Sequence, residues 1–591
     1  MDIASPAEWQ LAPELGSART DGRSARTADR LEEIGRRLAL TGGNPYRARA
    51  YSRAAETLRN LPMPLEEVLA ADRLRELPGI GEAIASVIPV LHATGNHPML
   101  EELRSDIPDS VLEMLAVPGL KPEKVLALFR ELGIRSLEEL EAAAKAGALA
   151  KSKRFGSALE RKVLEGLAAL RSAHGRIHLH RAAERLEAAE DHLRQAVPGL
   201  GKLIPAGDFR RGCELVADLV LVAAKKGRSE VITIGEVTCL VTDPARLGIT
   251  HLLATGAPAH LQQLQALAAE RGDVLGPEGL KISGQVVSRT EQKVYAALGL
   301  PFIEPELREG NGEIALAQAG RLPKLVTAHD IRGVLHVHTT ASDGANTLEE
   351  MAEAAMARGY AYLGVSDHSQ SAHYAGGLQI PDIEAQHEAI DRLNDRYGGG
   401  FRILKGIESD IREDGSLDYP DDILATFDFV IASVHGKFRL DERVQTERIV
   451  HAVSNPFTTI LGHMTGRQLL RRPGYEVDVE AVLRACAGHG VAVEVNANPW
   501  RLDLDWRWHR QAVELGCMMS INPDAHSIDE LDMMRWGLAQ ARKGGVPNSR
   551  VLNCLALSEL MGALAALRAK AGVALLGLTT PLLFRSIQKL P

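Results

Sequence analysis

The sequence predicts a multidomain α/β protein, helical at its N-terminal end, mixed in the middle and ending in a (β/α) barrel. Three observations predict it. At 591 residues the chain exceeds what one core holds, so roughly two to four domains are expected. Apolar helical stripes near the N-terminus are joined by a glycine turn that recurs. From Val334 onward, short apolar runs alternate with helical segments, and each run ends on a histidine or carboxylate beside small residues. Strand, loop and helix in that order build a barrel, which gathers functional side chains at the C-terminal ends of its strands.

Composition narrows the classes. Hydrophobic residues at 45% and charged residues at 25% fit a soluble globular protein. A net charge of −9 argues against coating DNA by bulk electrostatics, while leaving local phosphate contacts open. Cys213, Cys239, Cys486, Cys517 and Cys554 are scattered with no CxxC pair, which fits a reducing cytoplasm and no disulfide framework. Residues 1–26 read as a disordered tail of mixed Ala, Ser, Arg and acidic residues, without the apolar centre of a signal peptide. The apolar stretch Val573 to Phe584 is too short to span a membrane and contains Pro581, so 571–591 reads as a tail and no membrane partner is expected.

Residues 27–100 read as a helical domain. Leu31, Ile34 and Leu38 fall on one face, and Tyr46, Ala50, Ala54 and Leu58 make a second stripe. Gly42-Gly-Asn-Pro45 breaks the two, with Pro45 suited to a helix N1 position. Leu74-Arg-Glu-Leu-Pro-Gly-Ile-Gly-Glu-Ala-Ile-Ala85 then places Pro-Gly-Ile-Gly between helical patterns, the helix-hairpin-helix sequence. Its turn, Gly79, Ile80 and Gly81, can approach a phosphate closely and offers free N–H groups to it. An ordinary αα-turn would explain one copy. The turn recurs at Leu115-Ala-Val-Pro-Gly-Leu-Lys-Pro122, with Gly119, Leu120 and Lys121, and more weakly at Phe155-Gly156, inside a second helical block at 101–174. Repetition favours a sequence-independent grip on DNA backbone. Residues 101–150 carry six Lys/Arg against ten Asp/Glu, so such contacts rest on backbone N–H groups more than on side-chain charge.

The barrel region carries the chemistry. His336 and His338 lie two apart in an apolar run, a spacing that puts both imidazoles on one strand face. Alone, such a pair is more often structural. Asp343, His368, Glu408, His435, His463, Asp524 and His526 follow in the same register, after runs such as Phe429-Val-Ile-Ala-Ser-Val-His435 and Thr459-Ile-Leu-Gly-His463. Nine candidate ligands placed this way point to a divalent metal centre, and mixed His/carboxylate donors favour Mn2+, Zn2+ or Fe2+ over Mg2+. Arg467, close to His463, is a candidate phosphate clamp, with a surface salt bridge as the alternative.

The phrases Asp330-Ile-Arg-Gly-Val-Leu-His-Val-His-Thr, Gly406-Ile-Glu-Ser-Asp-Ile, Gly462-His-Met-Thr-Gly-Arg467 and Glu494-Val-Asn-Ala-Asn-Pro-Trp-Arg-Leu-Asp503 resemble a PHP (polymerase and histidinol phosphatase) phosphoesterase domain, of the kind fused to bacterial family X DNA polymerases. The resemblance spans 328–570 and implies a distorted (β/α)7 barrel with three metals. His336, His338, Glu408 and Asp524 would hold the first. Glu408, His435 and His463 would hold the second, with Glu408 bridging, and Asp343, His368 and His526 the third. Glu408, His435, Asp524 and Arg467 would be the catalytic set.

Asn44-Pro-Tyr-Arg-Ala-Arg-Ala-Tyr-Ser-Arg-Ala-Ala55 and the hairpins resemble the same polymerases. Their lyase-competent members use a Schiff-base lysine in the helix after the first hairpin. Here Glu82-Ala-Ile-Ala-Ser-Val-Ile-Pro-Val90 has no lysine, so that route is closed. A nucleotidyltransferase-like palm is expected at 175–265 and a thumb and linker at 266–327. The family pattern Gly-Ser-x-Arg-Arg is here Gly207-Asp-Phe-Arg210-Arg211, with Asp208 set to repel a triphosphate. Asp-x-Asp is here Asp218-Leu-Val220, one carboxylate short of what two-metal phosphoryl transfer needs. The neighbouring strand, Glu236 to Asp243, has no carboxylate where the pattern wants the third, unless a shifted register supplies Glu236 or Asp243, and Leu253-Ala254 replaces an aromatic pair. Gly207, Arg210, Arg211 and Asp218 therefore read as vestiges of a polymerase site.

The resemblance implies a cytoplasmic, monomeric DNA repair enzyme that processes 3′ ends at gaps or nicks as an exonuclease, 3′-phosphatase or abasic-site nuclease. An active gap-filling polymerase, a small-molecule phosphatase and a non-catalytic DNA-end-binding protein remain the alternatives. Nucleotide incorporation would mark the first and hydrolysis confined to small esters the second.

Overall fold

A computed structural model describes residues 22–41, 45–59, 65–117, 120–151, 155–172 and 175–570. These fall into two compact units, one of residues up to 174 with 470–472, the other of the remainder from 175 on. Among the described residues no helix is long and apolar enough to cross a membrane.

The first unit is helical and holds two cores. One packs Leu31, Ile34, Tyr51, Ala54, Leu58, Ile80, Ile84 and Ile88, and the other Val111, Met114, Val125, Leu128, Leu140 and Leu149. Its first helix, Gly22–Leu40, begins inside the stretch expected to be tail. The second stripe also needs correcting. On Pro45–Arg59 the buried face is Tyr51, Ala54, Ala55 and Leu58, whereas Tyr46 is 73% exposed because it sits in the first turn, ahead of that face.

The second unit begins with an α+β layer. A two-stranded ribbon pairs β1 (Ile177–His178) with β3 (Leu215–Val216). A four-stranded sheet has β2 (Ile204–Pro205), β4 (Leu219–Ala224), β5 (Glu230–Ile234) and β6 (Val237–Thr242) in the order β2-β4-β6-β5. β4 and β6 run parallel, with Val220 beside Thr238. The antiparallel strands β7 (Val274–Gly276), β8 (Gly279–Ile282) and β9 (Gln285–Val287) follow. The helices Pro258–Ala269 and Glu291–Ala297 precede and follow these three strands in the chain.

The barrel is a seven-stranded parallel sheet in sequence order: β10 (Gly333–Val337), β11 (Tyr362–Val365), β12 (Arg402–Asp410), β13 (Phe429–Ser433), β14 (Ile460–Leu461), β15 (Ala492–Asn496) and β16 (Met519–Asn522). Val337 bridges Ala525 just beyond β16 and brings the ends together. Every strand but β12 is buried throughout, as a parallel sheet covered by crossover helices requires. The Phe429 ring fills the base of the barrel. A Cβ at Gly406 would lie 2.2 Å from it and one at Gly364 2.7 Å, so glycine at both positions makes room for that ring. The final helix, Leu557–Lys570, follows two short turns at Asn548–Arg550 and Leu552–Cys554.

Candidate metal centre and its surroundings

Six of the seven barrel strands deliver a donor or donor pair at or just beyond the C-terminal end. β10 carries His336 and leads to His338, β11 leads to His368, β12 carries Glu408 near its end, and β13 and β14 lead to His435 and His463. β16 leads to Asp524 and His526. His336 sits at a shift in register between Val334 and Val337 with φ +63°, a bulge that resets the alternation of the strand. Leu335 before it packs with Tyr362 and Phe429 at the barrel base, and both histidines after it reach the donor cluster. Asp524, at φ +53°, is turned the same way.

All nine predicted donors converge. Four overlapping groups bring ligand atoms within 4.8 Å of one another: His338, Asp343, His368 and His526; His336, His338 and Asp524; His336, Glu408 and His463; His368, Glu408 and His435. Glu408 lies at the junction. Its Oε1 is 3.0 Å from His463 Nε2, 3.2 Å from His435 Nε2 and 3.3 Å from His336 Nε2, while Oε2 is 2.9 Å from His368 Nδ1. The grouping is more interleaved than the three sets implied by resemblance, in which Glu408 alone is shared. His435 and His463 fall in different groups, and His338 also joins Asp343, His368 and His526.

These atoms fit a cation. His336 Nε2, both ring nitrogens of His338, His368 Nδ1, His463 Nδ1 and Glu408 Oε2 are buried without a hydrogen-bond partner. Each such atom costs about 1–3 kcal/mol when left unsatisfied. Of these, His336 Nε2, His338 Nε2 and His368 Nδ1 face the Glu408 carboxylate and make a donor set that a divalent ion completes.

A second layer of carboxylates, missed by the sequence reading, aims the imidazoles. His336 Nδ1 donates to Glu494 Oε1 at 2.5 Å, and His435 Nδ1 to Asp410 Oδ1 at 2.5 Å, leaving each Nε2 lone pair toward Glu408. Such pairs fix tautomer and ring orientation in metal sites. Asp367 accepts from Thr339 N and Oγ1, both at 2.7 Å, and so pins the loop that carries Asp343. One signal was available: Glu494/Asn496 are polar residues two apart in the otherwise apolar β15, and Glu408/Asp410 repeat that spacing at the end of β12.

Charge in the centre is finely opposed. Burial alone would raise Glu408, but His435, His336 and His368 hold it well below the ordinary carboxylate range. Asp524 is lowered likewise by His336, His338 and Arg501. Burial would lower His336 and His435, yet Glu494 and Glu408 raise the first well above its usual value, and Glu408 with Asp410 lifts the second to about 10. His338, buried beside His526 and His368, falls to about 3.

Arg467 takes the alternative role. Its guanidinium donates to Asp505 at 2.6 Å, to Arg501 O at 3.0 Å and to Leu502 O, so it braces the 501–505 loop and is not a free phosphate clamp.

Of the hairpin residues, Gly79 (φ +76°) and Gly81 are exposed while Ile80 is buried between them, the anchored open turn the motif requires. Leu120 is buried and Lys121 precedes the helix Pro122–Leu132; Gly119 lies outside the described residues. Gly156, at φ +71°, opens the helix Gly156–Ser172.

The palm-like residues are brought together differently from a polymerase site. Asp218 lines a cavity of about 260 Å³ with Val220, Glu236, Thr238, Leu240 and Ala254, so two carboxylates share its wall where three are needed. Glu236 is ion-paired with Arg185. Arg210 is bidentate to Glu291 at 2.7 and 2.9 Å, and Arg211 is held by Glu309 at 2.9 Å and by Asp208. Asp208, expected to repel a triphosphate, is thus an internal partner: it also accepts from Ala217 N at 3.0 Å, helped by the positive φ of Gly207. The same corner is tied to the barrel helix Met534–Lys543, where Lys543 Nζ donates to Glu309 at 2.5 Å and to Arg211 O at 3.1 Å.

Comparison with known proteins agrees with this architecture. Residues 23–97 match the helix-hairpin-helix domain family, 111–169 the SAM-like helix-hairpin-helix tandem, 250–309 the DNA polymerase beta thumb and 335–498 the PHP domain. The chain is 34% identical over 560 residues to the DNA polymerase/3'-5' exonuclease PolX of Bacillus subtilis, covering 90% of this chain and 97% of that one. A probable phosphatase of Thermoanaerobacter sp. is 29% identical over 230 residues, covering 37% of this chain and 88% of that protein, and one of Edwardsiella ictaluri is 30% identical over 230 residues, with the same coverage. A seven-stranded parallel barrel with a convergent His/carboxylate centre defines a metal-dependent hydrolase of the PHP class. Its hairpin and thumb domains indicate DNA binding. The chain belongs to the bacterial family X DNA polymerases that carry a C-terminal PHP domain.

Proposed function

We propose that this chain is a DNA repair phosphoesterase whose PHP domain processes DNA 3′ ends, while its palm no longer extends primers. The observation that carries the reading is the contrast between two sites in one chain. Nine donors converge and five of them, His336, His338, His368, Glu408 and His463, keep buried polar atoms without a hydrogen-bond partner, whereas the palm holds two carboxylates and turns both arginines onto internal acids.

Three ions are assigned, Mn2+ or Zn2+ with Fe2+ as a further candidate, held by His336, His338, Asp343, His368, Glu408, His435, His463, Asp524 and His526. Bound there, divalent ions supply hydroxide near neutral pH and neutralise charge on the phosphoryl group. Within the chain, Glu408 joins the donor groups, and Glu494 and Asp410 hold His336 and His435 in the tautomer that leaves Nε2 free. In exonucleolysis a water oxygen bonds to phosphorus as the P–O3′ bond breaks; the 3′ oxygen takes up a proton and a 5′-mononucleotide leaves. In 3′-phosphatase action the same attack releases phosphate from a terminal 3′ oxygen. The hairpins of 27–100 and 101–174 would hold the DNA through Gly79, Ile80, Gly81, Gly119, Leu120, Lys121 and Gly156, and the chain would act as a cytoplasmic monomer at gaps or nicks. The blocks 175–265, 266–327 and 328–570 are assigned as palm, thumb with linker, and PHP domain.

His435→Ala removes a donor and should abolish shortening of a 5′-labelled primer in Mn2+, while Asp218→Ala should leave it unchanged. Near-wild-type turnover in His435→Ala would overturn the assignment of the centre.

A further inference from the structure

Tyr374 stands at the mouth of the metal centre and has no part in the chemistry described above. It is 71% exposed, yet its ring centroid lies 6.1 Å from that of His368 and 6.4 Å from that of His435. Among the described residues it is the one large aromatic of the second unit that is strongly exposed. An exposed ring adds little to folding stability, since it removes little apolar surface from water.

The loop that presents it is firmly held. Leu378 N donates to His368 O at 2.9 Å, and Tyr419 Oη donates to Leu378 O at 2.5 Å, closing the loop at its base. Ser371 N donates to Asp418 at 2.6 Å, and Gln370 Nε2 to Asp418 O at 2.6 Å. A Cβ at Gly377 would lie 1.9 Å from Ser369 O, so only glycine permits this closure. A rigid aromatic face directly beside a phosphoesterase centre matches a nucleotide end, with the base on the ring and the scissile phosphate at the donors.

Resting on the reading of this centre as a DNA-end phosphoesterase, we infer that Tyr374 is the stacking platform for the 3′-terminal base and selects nucleotide ends over base-free phosphate esters. Every base offers a π-face, so such stacking binds without reading sequence, which suits an end-processing enzyme.

The test compares a single-stranded oligonucleotide ending in an ordinary nucleotide with the same strand ending in a base-free tetrahydrofuran residue, using the full chain in Mn2+. Tyr374→Ala should raise KM for the nucleotide end about 10- to 100-fold with little change in kcat, and leave the base-free end unaffected. Tyr374→Phe should retain wild-type values, since the face and not the hydroxyl carries the contact. A 2-aminopurine at the 3′ end should be quenched by the wild type and Tyr374→Phe but not by Tyr374→Ala. If the wild type shortens DNA and Tyr374→Ala changes neither KM nor quenching, or weakens both ends equally, the inference is overturned while the phosphoesterase reading stands. If the wild type hydrolyses glycerol phosphate but neither DNA end, the DNA-end reading fails and takes the inference with it.

Discussion

Glu494→Gln probes the metal centre without touching a proposed ligand. The carboxylate accepts four hydrogen bonds: from His336 Nδ1 at 2.5 Å and Asn522 Nδ2 at 2.9 Å on Oε1, and from His463 N at 2.7 Å and Asn496 Nδ2 at 3.2 Å on Oε2. Glutamine keeps the shape but offers one acceptor oxygen, and its NH2 must face one pair of donors. Turned toward His336, it pushes the ring proton from Nδ1 to Nε2 and closes the lone pair that faces Glu408 and Asp524. Turned toward His463, it forfeits the backbone anchor of β14. Second-layer changes of this kind weaken metal affinity by about 10- to 100-fold, or about 1.4–2.7 kcal/mol. The assay is calorimetric titration of the metal-free protein with Mn2+, paired with thermal unfolding with and without Mn2+. The variant should show weaker binding and a smaller metal-induced rise in Tm. Mn2+ affinity within about twofold of wild type would refute the reasoning, since His336 would then not depend on Glu494 for its tautomer.

Two further predictions concern the scaffold. Lys543→Met removes a buried ammonium from Glu309 and the Arg211 carbonyl and should destabilise the second unit by about 3 kcal/mol, seen as a lower Tm; an unchanged Tm would show that the palm corner does not brace the barrel helix. Glu33 feels burial that would raise its pKa, but Arg104, Arg30 and Arg37 lower it to about 2, so its contribution is present above its ordinary pKa of 4.5 and lost as pH falls from there toward 2. Glu33→Gln should therefore cost on the order of 1–2 kcal/mol near neutral pH, allowing for solvent screening of its exposed partners, and the gap from wild type should narrow on acidification in urea unfolding; a pH-independent gap would refute this.

The donor set was legible because each ligand closes an apolar run, and a parallel barrel delivers run ends to one place. Less visible was how those donors are turned. Neither His336 nor Asp524 is flanked by the glycine or asparagine that marks a positive φ, so the bulge at β10 has no local signature. The palm told half its story. Val220 announced a missing carboxylate, but Glu291 and Glu309, which engage Arg210 and Arg211, lie some 80 to 100 residues onward and are joined to them only by the fold. Arg467 misled for the same reason, since its partners on the 501–505 loop are tertiary. Tyr46 shows the limit of periodicity near a helix start, where a residue in phase with a stripe can still lie outside the face that the core covers.

The central claim is a hydrolytic PHP centre beside a silent palm, and one measurement addresses both halves. Purified protein is incubated with a 5′-labelled primer on gapped DNA in Mn2+, with and without dNTPs. The account predicts shortening in both lanes and no extended product. Extension when dNTPs are added would contradict it, showing that Asp218 and Glu236 suffice for nucleotidyl transfer, and an unchanged primer in both lanes would contradict the assignment of DNA ends as the substrate.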